Sequence, residues 1–104
     1  MAKFVYAYHG GSMPDTPEEQ QKVMAAWGAW FATLGESLLD GGNPTAEART
    51  VASDGSVTSD GGANPLTGYS LVDAASIDDA VKMAKSCPIL ENGGSVQVCQ
   101  TVDM

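Results

Sequence analysis

The chain has 104 residues, 13 of them acidic and 5 basic, a formal net charge of −8 and 43% apolar content. That length supports one domain with its own core, residues 1–104, and no second. The acidic balance excludes a basic stripe for nucleic acid and attraction to anionic membranes, and no run of about 18 apolar residues is present to span a bilayer.

The five cations are Lys3, Lys22, Arg49, Lys82 and Lys85; only the last two stand close together, so they form no patch. The start, Met1-Ala2-Lys3-Phe4, runs directly into alternating apolar residues with no leader pattern, so a cytoplasmic location is expected. Cys87 and Cys99 are the only thiols. They form neither a disulfide framework nor a CxxC site, and reduced structural thiols are expected.

Residues Lys3 to His9 alternate as a strand, with Phe4, Tyr6 and Tyr8 on one face and Val5, Ala7 and His9 on the other. Both faces are largely apolar, so each needs a cover: a helix on one side, a second subunit on the other.

Gly10 to Asp15 breaks the strand, and Thr16-Pro17-Glu18-Glu19 starts a helix. Thr16 accepts from the Glu19 amide, Pro17 takes a position where its missing N–H costs nothing, and the glutamates suit the positive end. Val23, Ala26, Trp27, Trp30, Phe31, Leu34 and Leu38 then recur at threes and fours as one apolar stripe. Aromatics at this spacing are core formers first and ligand-stacking groups second.

Gly41-Gly42-Asn43-Pro44 turns the chain towards a sheet. Residues 47–52 and 56–59 flank Asp54-Gly55, a pair that favours tight hairpin turns. Residues 60–65 are a loop by composition, and 67–74 read as a more apolar strand.

Ser76 caps a second helix with Asp79 three residues on; Ile77, Ala80, Val81 and Ala84 make its stripe, and Lys82 and Lys85 suit its negative end. Pro88 stops it, and Gly93-Gly94 leads into a last strand over 95–102. The order is βαββαβ. It predicts an α+β, ferredoxin-like fold with an antiparallel sheet and two helices on one face. The opposite face would be bare in a monomer, so two sheets are expected to pair face to face as a homodimer, a dimeric α+β barrel enclosing a cavity.

The segment Gly68-Tyr69-Ser70-Leu71-Val72-Asp73-Ala74-Ala75-Ser76-Ile77-Asp78-Asp79-Ala80, with Ala84, Pro88 and the Gly94 to Val98 ending, resembles the YCII-related family, especially its DGPF-type branch. The opening KFVYAYHGG and the stretch from Trp27 to Asn43 are similar to it as well. The resemblance implies a ferredoxin-like subunit that dimerises into an α+β barrel. Some YCII-type members carry a histidine early in the first long helix with an aspartate nearby; the matching stretch here, Met24 to Trp27, has no histidine. The branch motif Asp-Gly-Pro-Phe falls where this chain reads Asp60-Gly61-Gly62-Ala63, without the proline and the aromatic.

His9 is the only histidine and ends the first strand beside Gly10-Gly11. Near neutral pH it can carry protons, paired with an acid such as Asp60 or Asp40; otherwise it holds a strand edge by bonding backbone. Tyr6, Tyr69 and Trp30 are the candidate ligand-binding side chains, each also fit for core. The glycine loops lack the spacing of calcium or phosphate loops, and neither metal nor cofactor is expected.

Two function classes follow from these residues. One is a small-molecule-binding or accessory domain with its cavity between two subunits. The other is a cofactor-free acid–base enzyme, isomerase-like or lyase-like, on a small organic substrate with His9 as proton carrier.

Overall fold

The first strand, β1 (Ala2–His9), forms the centre of a four-stranded antiparallel sheet because its alternate residues are apolar on both sides. The computed structural model describes residues Met1–Met104. Helix α1 (Pro17–Leu34) starts as its cap signals require, with the Thr16 hydroxyl accepting from the Glu19 N–H at 3.3 Å, and it stops at Gly35. The chain then makes one 3₁₀ turn and enters β2 (Leu38–Asp40). Two short strands, β3 (Thr50–Val51) and β4 (Val57–Thr58), follow outside the main sheet. Strand β5 (Leu66–Ala74), helix α2 (Ile77–Ala84) and β6 (Ser95–Gln100) complete the main body. The sheet order is β2-β5-β1-β6, the ferredoxin-like arrangement.

Register divides the sheet cleanly between two environments. Phe4, Tyr6 and Tyr8 of β1 and Ser70, Val72 and Ala74 of β5 are buried against the helices. Val5, Ala7 and His9, with Tyr69 and Leu71, look the other way and are half-buried. Trp30 and Leu34 of α1, Ala80 and Ala84 of α2, and Cys87 and Ile89 of the following turn close the core. The Tyr6 hydroxyl donates to the Ala80 carbonyl, and Trp30 Nε1–H donates to the Met83 carbonyl at 3.1 Å, so two large rings are pinned by their polar ends.

The structure differs from the sequence reading in three places. The second strand of the main sheet is Leu38–Asp40, not the 47–52 segment, because Gly35 ends α1 before Leu38 can join its stripe. The predicted hairpin exists as β3 and β4, paired only with each other. It forms an arm that leaves the body through the bridge between Pro44 and Gly68. Third, Ala26, Ile77 and Val81 are exposed, so each helix buries a narrower stripe than its periodicity suggests.

The arm sets the molecule's shape. The extents are 43 × 42 × 18 Å and the radius of gyration is 15.0 Å, above the roughly 13 Å of a compact chain of this length.

Candidate functional site

A cavity of about 600 Å³ opens between α1 and the helix-covered face of the sheet. It exists because small residues face each other across the gap. Gly28 of α1 presents no side chain to it, and a Cβ placed there would meet no atom within 4 Å. Gly41, Gly42 and Gly68 line the opposite wall, also without side chains. At Gly42 the absence is obligatory: its φ is +70°, and a Cβ would lie 1.8 Å from the Tyr69 carbonyl oxygen. The Gly42 N–H donates to Asp40 Oδ1 at 2.8 Å, which fixes the turn after β2.

Aromatic rings make the rest of the wall. Tyr8 meets Trp27 edge to face, and Trp27 in turn packs on Phe31 with centroids 5.7 Å apart. Val23, Met13, Met24 and Ile89 add apolar surface, Tyr69 borders the cavity beside Gly42, and Asn43, Asn92, Ser12 and Thr67 offer polar atoms. No lysine, arginine, histidine, aspartate or glutamate lines the cavity.

Tyr8 is the one wall residue with a buried polar chain behind it. Its hydroxyl donates to Ser70 Oγ at 2.8 Å, and Ser70 donates to the Gly41 carbonyl at 2.7 Å. Burial holds the Tyr8 pKa well above the ordinary tyrosine value, outweighing the lowering effect of the Ser70 bond. The phenol therefore stays protonated, a hydrogen-bonding group and not a base.

The residues singled out in the sequence fall in separate places. Tyr69 borders the cavity; Tyr6 and Trp30 do not, their polar atoms being spent on the Ala80 and Met83 carbonyls. His9 lies at the arm's root. Its Nδ1 is 3.0 Å from the Asn64 carbonyl and 3.2 Å from that of Pro65, and Nε2 is 3.2 Å from Gln97 Oε1. Carbonyl oxygens only accept, so Nδ1 carries a proton in this arrangement. Asp60 sits on the arm with Oδ1 accepting from the Gly62 N–H at 3.1 Å. No hydrogen bond or ion pair joins His9 to Asp60 or Asp40. Nor does any group of three His, Cys, Asp or Glu side chains gather with the geometry of a metal site.

Sequence reasoning passed over Gly28, Tyr8 and the Gly41-Gly42 wall. A signal for Gly28 was present: glycine inside a helix costs about 1 kcal/mol relative to alanine, a cost that calls for a spatial reason.

Among solved structures, the chain is similar to 5-chloro-2-hydroxyhydroquinone dehydrochlorinase from Burkholderia phenoliruptrix, determined in complex with 2,5-dihydroxybenzoquinone. The TM-score is 0.58 over 100% of this chain and 96% of that one, at 18% identity, a likeness of fold. The fold is α+β and ferredoxin-like, as read from the element order. No family model and no curated protein sequence matches the chain. No helix is long and apolar enough to cross a membrane.

Proposed function

We propose that this protein is a binding domain for a small, uncharged or weakly acidic ring compound, held in the cavity between α1 and the sheet. The observation that carries this is the wall itself: three aromatic rings, those of Tyr8, Trp27 and Phe31, around about 600 Å³ with no charged side chain. That volume is within the usual range for small-molecule sites, and a few polar groups on an apolar wall are what orients such ligands. The similar dehydrochlorinase binds a dihydroxylated benzoquinone, which supports a hydroxylated quinone or phenol as the class to test first.

The cavity lies within one chain, so the ligand site requires no second subunit. Homodimerisation through the open sheet face, and membership of the YCII-related group, are parts of the same proposal. They rest on the apolar character of Val5, Ala7 and Leu71 and on the motif resemblance.

Acid–base catalysis with His9 as proton carrier is the second reading, favoured by the activity of the similar enzyme. It requires the His9 ring to leave its carbonyl partners at the arm's root and reach a substrate. A base is otherwise missing from the cavity wall, and this places binding first.

The test is titration of the protein with a series of hydroxylated quinones and phenols, followed by tryptophan fluorescence and by native mass spectrometry. The proposal expects saturable quenching and one retained ligand mass per chain for at least one ring compound. Absence of both across the series overturns it.

A further inference from the structure

The arm and strand β6 are two unsatisfied surfaces with matching properties. Strand β6 is an edge of the sheet. The Thr101 N–H donates to the Lys3 carbonyl at 2.9 Å, and β6 pairs with β1 as Gln100 to Phe4 and Cys99 to Val5. By antiparallel alternation, the backbone N–H and C=O groups of Val96, Val98 and Gln100 point away from β1 to the free edge. Natural edges are protected by charges, proline or a bulge. Ser95–Gln100 has no charged residue and no proline, and its register with β1 is unbroken. The other edge, β2, is only three residues long and irregular in register.

Beside β6 on the helix side runs an apolar groove lined by Val81, Ala84, Leu90, Val96 and Val98, with Lys85 at its border. Leu90 and Val81 are 44% and 37% exposed, high for residues of this type beside a core. The arm carries the converse features. Val51 and Val57 face each other across its ladder and are 68% and 59% exposed. Its charged residues are Glu47, Asp54 and Asp60 against Arg49, an acidic balance that suits Lys82 and Lys85.

The whole chain exposes 6973 Å². A compact monomer of 10.7 kDa exposes about 5,500 Å². The excess, of the order of 1,500 Å², exceeds the roughly 800 Å² per partner that a standard stable interface buries. The ten residue steps from Pro44 to the tip at Asp54 reach at most roughly 33 Å at strand rise, against roughly 20 Å for the six residues of β6.

We propose that the arm of one copy lies along the free edge of β6 of a second copy, reciprocally across a twofold axis. The arm's outer backbone pairs with the outward groups of Val96, Val98 and Gln100, and the Val51–Val57 pair seats in the groove. This goes beyond pairing of open sheet faces, because it assigns the contact to two named segments and is independent of any ligand.

The test combines sedimentation with cross-linking. In one variant, residues 49–60 are replaced by Asn-Gly, joining Ala48 to Gly61, positions already close in space. In the other, Thr58→Cys is treated with a short bismaleimide beside the native exposed Cys99, Cys87 being buried. The expected result is a wild-type dimer, a shortened variant that is folded by circular dichroism and whose dimer dissociates at least tenfold more readily in sedimentation, and a Thr58→Cys cross-link to Cys99 between chains. A monomeric wild type, a shortened variant that dimerises as tightly as the wild type, or cross-linking confined to Cys99–Cys99 overturns the proposal. Should the shortened variant fail to fold, the mapped cross-link decides alone.

Discussion

Tyr8 of the sheet and Trp27 of α1 meet edge to face, with ring centroids 5.0 Å apart and planes at 80°. This pair joins the helix to the sheet where the cavity begins, so it serves core and site together. Trp27→Leu is expected to cost about 1 kcal/mol through loss of the aromatic contact. The same change weakens binding of a ring ligand roughly tenfold, equal to about 1.4 kcal/mol. Urea unfolding and fluorescence of the remaining Trp30 measure the two effects separately.

Gly42 forms the cavity wall at a place where no Cβ fits. Gly42→Ala is expected to destabilise by about 3 kcal/mol or more, since left-handed backbone strain alone costs roughly 1–3 kcal/mol and the Tyr69 carbonyl must also move. Chemical denaturation checks the size of the loss. Gly62 has φ +93°, but a Cβ added there would meet no atom within 4 Å, so Gly62→Ala is expected to cost only the strain.

Alkaline pH is expected to unfold the protein earlier than net charge alone requires. Burial pushes the Tyr6 hydroxyl from 10.0 to about 12 and the Cys87 thiol from 9.0 to about 11. Between the unfolded and folded values the unfolded chain has lost protons that the folded chain still holds, so stability falls as pH rises. Their contribution is complete below pH 9 and declines through 12. Urea midpoints across this window, with Cys87→Ala removing the earlier part, test the assignment.

His9→Ala is expected to loosen the arm's root and leave the cavity intact. Amide exchange at residues 66–68 should quicken, and the affinity for a ring ligand should change by less than about twofold, below about 0.5 kcal/mol. Loss of turnover on a ring substrate with affinity retained would instead establish His9 as a proton carrier.

Much of the architecture is legible in the residues because each local signal agrees with the tertiary arrangement. Thr16 and Ser76 cap the helices they were expected to cap, and the alternation of Phe4, Tyr6 and Tyr8 states which face meets them. Strand β2 is not legible: three residues following a helix with apolar Leu38 in phase carry no period of their own. The cavity is harder still, because it is made by absent side chains at Gly28, Gly41, Gly42 and Gly68, brought together from distant parts of the chain. His9, conspicuous as the only histidine, sits at the arm's root, where carbonyl groups take its Nδ1.

The most direct measurement is calorimetric titration of wild type and Gly28→Leu with 2,5-dihydroxybenzoquinone and its hydroquinone. Gly28 is helical and faces open space, so leucine there improves helix propensity by about 1 kcal/mol while filling the cavity. The account predicts one site per chain in wild type and none in a Gly28→Leu variant that melts no lower. No binding by wild type, or equal affinity in both proteins, would contradict it.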